Sequence, residues 1–335
     1  MKRAKRGELS MFVVGGESLI DLKAEVMLPD GQIALRDSEG QIVMTAHPGG
    51  SPFNCAIALS KLGNHTGFLC PISADAFGDY LLGPLVEAGV VPLLPERVPE
   101  YTTLAVVNFD DNHNARYGFY RQADGAIDAD KAVAALPEAL ALYQIGGFCP
   151  IEPDEAEAWV QVVETAIARG ATISIDPNVR PSLVSDFAGY KQRLGRFLDL
   201  AHLVKVSEED LAALDPERSL EQHAADLLAR PNCELVVVTL GEKGSRAFTV
   251  SASASAAIHQ PPLFGDTVGA GDSLMAGILT WLDERDLLAP GNLTALRAEE
   301  LAQMLLFGAV VAGINCGRKG CKPPTRAEVD AVLAV

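Results

Sequence analysis

The chain reads as an α/β protein, a mostly parallel sheet with helices on both faces and a smaller β-sheet excursion. Three observations carry that reading. Short apolar runs of strand type alternate with stretches whose apolar residues recur at helical spacing, over most of the 335 residues. Two segments break the alternation with strands that have no helix between them. Glycine-rich and charged residues gather in loops at the carboxyl ends of the apolar runs, where open α/β sheets bind ligands.

The first strand is Met11 to Gly15, a continuous apolar run. Ser51 to Leu62 carries small or apolar residues at helical spacing and closes at Gly63, a helix stop. Thr66 to Cys70 is strand again, and Tyr80 to Ala88 is a helix ended by Gly89. Beyond come a strand at Ala141 to Ile145, a helix through Trp159 to Ala168, and a buried strand at Ala171 to Ile175. His202 to Val206 and Leu235 to Thr239 repeat the strand pattern, with a helix at Leu220 to Leu228 between them. An apolar helix runs from Leu274 to Leu282, and Met304 to Ile314 is a helix packed on the sheet. Such alternation gives parallel pairing and right-handed crossovers.

The interruptions are Leu19 to Leu28 with Ile42 to Ala46, and Thr102 to Phe109 with Arg116 to Arg121. Asp110-Asp111-Asn112-His113-Asn114, between the last two, is turn chemistry. A lone hairpin exposing Val106, Phe109, Tyr117 and Phe119 would be marginal, so the four strands are expected to share one sheet. The organisation expected is a core of 11–16, 48–98 and 125–335, with the small sheet formed by 17–47 and 99–124.

Hydrophobic residues make up 48% of the chain, enough for one large core or two modest ones. No apolar run reaches the ~20 residues of a membrane span. Met1 to Lys5 is basic, with no apolar signal region after it, which points to a cytoplasmic protein. A formal net charge of −17 disfavours a nucleic-acid surface. Cys55, Cys70, Cys149, Cys233, Cys316 and Cys321 show no metal or C-x-x-C spacing. Most sit in apolar contexts and read as small core residues, in a reducing compartment.

The segment Asp266-Thr267-Val268-Gly269-Ala270-Gly271-Asp272-Ser273 stands directly before an apolar helix. Gly269 and Gly271 permit backbone conformations that let successive N–H groups converge. The first helical turn leaves amides unpaired and carries a partial positive charge, which suits phosphate oxygens. Asp272 beside an anion site is unfavourable unless it has a task, and a carboxylate there can accept the proton of an attacking hydroxyl. Glycine turns before helices are common, so the specificity comes from a second segment upstream. Gly49-Gly50-Ser51-Pro52-Phe53-Asn54-Cys55-Ala56 continues through Leu59 and Leu62 to Gly63. In order and separation the two segments resemble the C-terminal and N-terminal signatures of the ribokinase-like (PfkB) carbohydrate kinases, and the resemblance runs from about Phe12 to Pro324.

That resemblance implies a ribokinase-like fold whose small sheet is a lid over the sugar and often a dimerisation surface. It implies ATP and Mg²⁺ as cofactors. On the sugar side, Asp21 in Gly16-Glu17-Ser18-Leu19-Ile20-Asp21 and Asn54 are assigned to sugar hydroxyls by resemblance. Taken alone, Asp21 is an edge-strand charge and Asn54 a helix cap. Gly49 and Gly50 let the backbone approach a ligand, and Arg121 projects from a lid strand. Ala123-Asp124-Gly125-Ala126 is similar to the segment after the lid in fructokinases.

On the nucleotide side, Asp176-Pro177-Asn178-Val179-Arg180-Pro181 follows a strand, and Arg180 offers a fork for phosphate. Lys205-Val206-Ser207-Glu208-Glu209-Asp210 occupies the place of the family's N-x-x-E motif, with Ser207 for the Asn and Asp210 for the Glu. The resemblance makes Asp210 a Mg²⁺ partner through waters; Ser207 as a helix N-cap is compatible with that. Thr239-Leu240-Gly241-Glu242-Lys243-Gly244 is similar to the family's T-x-G-x-x-G turn along the ATP phosphates. Asn315-Cys316-Gly317-Arg318-Lys319-Gly320, with the backbone around Asp266 and Val268, resembles the loop of a monovalent-cation site and implies K⁺.

The reaction implied is transfer of the ATP γ-phosphoryl group to a primary sugar hydroxyl. Asp272 takes the hydroxyl proton, amides of Gly269, Ala270 and Gly271 stabilise the transferring oxygens, and Arg180 adds charge. Asp176 to Arg180, Lys205 to Asp210, Phe119 to Arg121 and Ala123-Asp124 lean toward fructose. The acid sugar 2-keto-3-deoxygluconate is the alternative, because kinases for it share D-P-N-x-R, with Arg116 and Arg121 as basic groups. Ribose and nucleosides rank lower, since Ser51-Pro52-Phe53 differs from the ribokinase form. A catalytically silent nucleotide-binding regulator is opposed by the intact Gly-Ala-Gly-Asp. A nicotinamide dehydrogenase is opposed because Gly15-Gly16-Glu17-Ser18 does not give G-x-G-x-x-G. Expected partners are a small sugar and ATP, with no nucleic acid and no membrane, and a second copy of the chain through the lid.

Overall fold

The computed structural model describes residues 10–24, 26–27, 33–34, 39–109 and 115–334. In chain order, β1 (Met11–Gly15), β2 (Leu19–Ala24), β3 (Val26–Met27), β4 (Ile33–Ala34) and β5 (Met44–Gly49) lead into α1 (Ser51–Lys61). Next come β6 (Thr66–Leu69), α2 (Ala76–Ala88), β7 (Val91–Pro92), β8 (Leu104–Phe109) and β9 (Ala115–Tyr120). They are followed by α3 (Ala129–Ala135), β10 (Leu140–Gly146), α4 (Pro153–Ala168), β11 (Thr172–Asp176) and α5 (Phe187–Leu200). Then β12 (Leu203–Ser207), α6 (Glu208–Leu214), α7 (Leu220–Leu228), β13 (Leu235–Thr239), β14 (Ser245–Phe248) and β15 (Ser253–Ala256) complete the strands. The last helices are α8 (Ala270–Asp283), α9 (Ala298–Cys316) and α10 (Arg326–Leu333).

The described strands include a nine-stranded sheet in the order β15-β14-β13-β12-β11-β10-β1-β6-β7. Pairing is parallel from β7 to β13, and β14 and β15 add an antiparallel edge. Its central strands are apolar on both sides because helices cover both faces. Phe12, Val14, Leu142 and Leu203 join the cluster that holds Phe53, Phe68 and Trp281, on the side of α1, α8 and α9. Their neighbours Val13, Tyr143, Ile145 and Val204 join the opposite cluster with Trp159, Tyr190 and Phe197. Cys55, Cys70, Cys149 and Cys233 are buried thiols within this packing. Residues Met304 to Ile314 lie in α9, which on composition is long and apolar enough to cross a bilayer but packs here against α8 and β15.

Several boundaries differ from the periodicity, each for a local reason. α8 begins at Ala270 rather than Leu274, because Gly269 takes φ 72° as its N-cap and residues 270–273 are already helical. α2 begins at Ala76, where the Asp75 carboxylate accepts from the Gly78 amide, and α4 begins at Pro153, a residue suited to the first helical position. The strand expected to reach Leu28 stops at Ala24, and Val26–Met27 pairs instead with Ile33–Ala34. The strand expected at Ile42 to Ala46 lies at Met44–Gly49 and runs straight toward α1. The expected turn Asp110 to Asn114 lies outside the described residues.

β5, β2, β8 and β9 form a separate four-stranded sheet in that order. β2 pairs antiparallel with β5 and parallel with β8, and β8 pairs antiparallel with β9. β2 leaves the carboxyl end of β1 after Gly16-Glu17-Ser18, and β5 delivers Gly49-Gly50 to the first turn of α1. The small sheet is thereby fastened to the ligand-binding edge of the large one.

α8 and α9 pack closely enough to require small residues at their crossing. A Cβ on Gly277 would lie 2.9 Å from the Gly308 Cα, and one on Gly308 would lie 3.0 Å from the Leu274 carbonyl oxygen. Gly277→Val is expected to lower stability by about 1–3 kcal/mol, seen as a lower urea midpoint with unchanged slope. An unchanged midpoint would mean that the two helices do not approach this closely.

Candidate active site

Asp272 occupies the third position of α8, is buried, and takes a hydrogen bond on each oxygen. Ser51 Oγ donates to Oδ1 at 2.6 Å and Asn54 Nδ2 donates to Oδ2 at 2.9 Å. Ser51 and Asn54 are three residues apart in the first turn of α1, so they share one face and clamp the carboxylate together. Burial pushes Asp272 up to about 6; the Ser51 bond opposes this, while the Asp176 charge adds to it. The carboxylate is therefore ionised near neutrality yet more basic than an exposed one.

Around it lies the first turn of α8. The Ala270 amide donates to the Thr267 carbonyl at 3.1 Å and the Ser273 amide to Gly269 at 2.9 Å. Among the described residues the amides of Gly269, Gly271 and Asp272 have no such acceptor, so these three are the ones open to an anion. Gly269 needs its positive φ, and a side chain there would strike Cys321. A Cβ on Gly271 would stand 3.0 Å from Lys205 Nζ, which places an ammonium against this turn.

Lys205 comes from β12 and pairs with Asp176 Oδ2, at the end of β11, at 2.6 Å with both side chains buried. Burial alone would pull the Lys205 ammonium down, but Asp176, Asp210 and Asp272 together lift it above its ordinary value. Asp176 Oδ1 is buried without a hydrogen-bond partner among the described residues. These groups form the floor of a cleft of about 430 Å³ between the strand ends and the small sheet.

The small sheet supplies the opposite wall. Asp21 and Lys23 of β2 both line the cleft, as alternate residues on one strand face do. Burial raises the Asp21 carboxyl, with Lys23 and His47 opposing. Gly49 lies behind it, where a Cβ would come 2.7 Å from Asp21 Oδ2. Gly50 lines the cleft at φ 110°, and a Cβ there would come 2.7 Å from the Glu17 carbonyl oxygen. Phe119 and Phe148 complete this wall in an edge-to-face pair with ring centroids 5.6 Å apart.

Arg121 is placed differently from the expected sugar contact. Its guanidinium pairs with Asp124 at 2.7 Å and Glu155 at 2.8 Å and lies 5.0 Å above the Phe148 ring centroid. It backs Phe148 without lining the cleft itself. The side chain of Arg116 lies outside the described residues.

Arg180 lines the cleft, and its Nη1 donates to the Val179 carbonyl at 3.1 Å. Ser207 caps α6 in a reciprocal box with Asp210. Asp210 Oδ1 accepts from the Val179 amide at 2.7 Å and Oδ2 from the Ser207 amide at 2.8 Å. Each oxygen keeps a lone pair, so the carboxylate fits a water-bridged Mg²⁺ but is also a structural tie. Thr239 ends β13, and Gly241 and Gly244 hold positive φ of 57° and 94° in the turn beyond it. Ser207 and this turn sit at neighbouring strand ends, outside the lining of the 430 Å³ cleft.

The loop before α8 is stitched to the loop after α9. Asp266 accepts from the Val268 amide at 2.9 Å and the Gly320 amide at 2.7 Å, and Asn315 Nδ2 donates to the Val268 carbonyl at 2.8 Å. Asp266, Val268, Asn315 and Gly320 are thus together as expected from the sequence. The Arg318 guanidinium turns away toward the Lys322 carbonyl and Glu328.

Known proteins resemble this chain over most of its length. The model of the pfkB family of carbohydrate kinases matches residues 11–328. Probable fructokinase-4 of Arabidopsis thaliana is 31% identical, covering 98% of this chain and 98% of the relative. A fructokinase of Klebsiella pneumoniae is 30% identical over 88% of this chain and 91% of its own length. The solved structure of a Xylella fastidiosa fructokinase with bound ATP superposes with a TM-score of 0.83 at 25% identity, covering 98% of this chain and 99% of that one.

The Asp272 environment makes a prediction that needs no substrate. Its carboxyl rises from 3.8 to about 6 on folding, so the folded chain binds that proton more tightly than the unfolded one. Stability from this group is greatest below 3.8, falls as the pH climbs to about 6, and stays lost above it. Asp272→Asn removes that dependence. The variant is expected to exceed the parent at pH 8 by up to ~3 kcal/mol in urea denaturation, with the gap closing at pH 4. A variant weaker than the parent at both pH values would refute the strained-carboxylate account.

Proposed function

We propose that this chain, which belongs to the pfkB family of carbohydrate kinases, phosphorylates a primary hydroxyl of free fructose with ATP in the cytoplasm. The observation that carries the reading is the Asp272 clamp: a basic buried carboxylate, held by Ser51 and Asn54, beside open amides and the Lys205 ammonium. The sugar lies in the cleft against Asp21 and Asn54, its reacting hydroxyl on Asp272. Asp272 accepts the proton late, as the oxygen bonds to phosphorus, because a hydroxyl is too weak an acid to ionise first. The amides of Gly269 and Gly271, with Lys205 and Arg180, receive the charge that develops on the transferring oxygens. The turn Thr239 to Gly244 and Ser207 border the nucleotide.

Mg²⁺, when bound, neutralises charge on the phosphates, and Asp210 through waters and the unpartnered oxygen of Asp176 are the groups that fit it. K⁺ would sit where the loops at Asp266, Val268, Asn315, Arg318 and Gly320 meet, held by loop oxygens; the bonds that join Asp266, Val268, Asn315 and Gly320 support that reading. Core 11–16, 48–98 and 125–335 would carry the chemistry, and 17–47 with 99–124 would act as a lid. Tyr101 and Tyr120, exposed beside that sheet, support pairing of two copies through it.

One observation favours a second substrate. Lys23 and Arg180 both line the cleft and offer cations to a carboxylate, which suits 2-keto-3-deoxygluconate. ADP release from Mg·ATP with fructose, the acid sugar, ribose, tagatose, glucose and a nucleoside decides between them. Preference for fructose is expected. Preference for the acid sugar would transfer the reading to that substrate, and ATP binding with no turnover would favour a regulatory relative. Asp272→Asn should lower kcat by about 10²–10⁴ while calorimetric ATP binding survives; near-normal turnover would remove Asp272 as the base. Sugar should also slow proteolysis within the lid strands, and an unchanged cleavage rate would count against closure.

A further inference from the structure

Glu17 has no part in the reaction described above, yet it is one of the most deeply placed charges at the cleft. It lies in the turn between β1 and β2, and 3% of it is exposed. Among the described residues no Lys, Arg or His forms an ion pair with it. Its two oxygens instead accept backbone amides from the first turn of α1 and from the loop after β10. Ser51 N donates to Oε1 at 3.1 Å, and Phe148 N donates to Oε2 at 3.0 Å. The backbone is cut to fit this side chain: Gly147 has φ 65°, and any Cβ there would fall within the Glu17 carboxylate.

The two amides belong to working parts of the site. Ser51 is the residue whose hydroxyl holds Asp272, and Asn54 follows it by one helical turn. Phe148 pairs with Phe119 of the small sheet and carries Arg121 over its ring. We propose that Glu17 is a positioning residue whose ionised carboxylate fixes the first turn of α1, so that Ser51 and Asn54 hold Asp272, and ties that setting through Phe148 to the sugar-side wall. The effect on turnover rests on the kinase reading; the effect on the Ser51 and Phe148 amides does not.

The chemistry distinguishes the two protonation states. A carboxylate only accepts, so both amides are satisfied. Once protonated, one oxygen carries a hydrogen and faces an N–H with a donor, and one tie weakens. The groups around Glu17 favour that proton. Burial and then Asp124 raise it to about 7, against the amides of Phe148 and Ser51. Asp124 is itself held by Arg121, which also pairs with Glu155. The thiols of Cys70 and Cys149 nearby are pushed up by burial and stay neutral. Asp272 lies beyond Ser51 and titrates lower, at about 6. As pH falls, Glu17 is therefore protonated before Asp272.

The test is Glu17→Gln, whose amide nitrogen reproduces the donor of the protonated state. In the parent, log kcat should fall with slope one as Asp272 takes its proton near 6, and protonation of Glu17 near 7 should add a drop of about tenfold to a hundredfold that then levels off. In the variant, kcat at pH 8 should drop about tenfold to a hundredfold, the KM for ATP should change little, and a single acid limb should remain near 6. By NMR, the Ser51 and Phe148 amides should exchange faster in the variant at pH 8, while the β11 amides stay protected. A folded variant with the parent's kcat and pH profile would overturn the proposal, as would unchanged exchange at Ser51 and Phe148. If the variant does not fold, the parent decides: the protection factors of those two amides, corrected for the base-catalysed intrinsic exchange rate, must fall as the pH drops through about 7, and flat protection factors refute the proposal. If the parent phosphorylates no sugar, the kinase reading fails, and the exchange result still tests Glu17 by itself.

Discussion

A carboxylate removed from water must find donors or a cation, and this requirement organises the whole binding edge of the sheet. Asp272 is satisfied by α1, Asp176 through one oxygen by Lys205 of β12, Asp210 by amides of Val179 and Ser207, and Glu17 by amides of Ser51 and Phe148. Each solution joins two elements that the chain brings from far apart. α8 is tied to α1, β11 to β12, the strand-end loop at Val179 to α6, and the β1–β2 turn to the first turn of α1 and the loop after β10. Removing one partner would leave a buried charge unpaired, which costs far more than the pair contributes. The acids of the cleft are consequently each anchored to a second element.

Much of the fold was legible because its strongest signals are local. A short apolar run rich in β-branched residues, such as Leu235–Thr239, reads as a strand buried on both faces, and the structure has that strand at the same residues. The four strands without helices between them do share a sheet. Errors fall where capping overrides periodicity. Ala270 to Ser273 hold no large apolar residue to mark a helical face, so the start of α8 is set by the left-handed Gly269. Likewise Asp75 and Pro153 open α2 and α4 a turn or more before the apolar stripe begins.

The site was legible in its motifs and less so in its pairings. Gly269, Gly271, Asp272, Gly50, Asn54, Asp21 and Arg180 do meet around one cleft. Lys205, Ser51, Lys23 and Glu17 were missed as site residues. Lys205 and Glu17 sit within or beside apolar strands, and only contacts more than twenty residues away reveal what they face. Lys23 had a signal, since it alternates with Asp21 on one strand. Arg121 misled because a cation on a strand looks free until Asp124 and Glu155 are seen to hold it.

Lys205 and Asp272 are held by the same kind of device, which bears on how the proposed transfer would proceed. Ser51 and Asn54 fix Asp272 from one side and leave its outer face to a substrate hydroxyl. Asp176 fixes Lys205 from behind through one oxygen, so the ammonium lies against Gly271 before any phosphate arrives. An exposed lysine would have to give up the freedom of its four-carbon stem when it met the phosphate. Here that ordering is complete in the free protein, and the charge needs little rearrangement as the transferring oxygens gain electron density. The base and the cation then flank the first turn of α8, each restrained by a neighbouring element. The turn itself must stay free of bulky side chains: a Cβ at Gly269 would meet Cys321, and one at Gly271 would meet Lys205. The glycines of this motif serve the packing of the charged groups as much as the approach of a ligand.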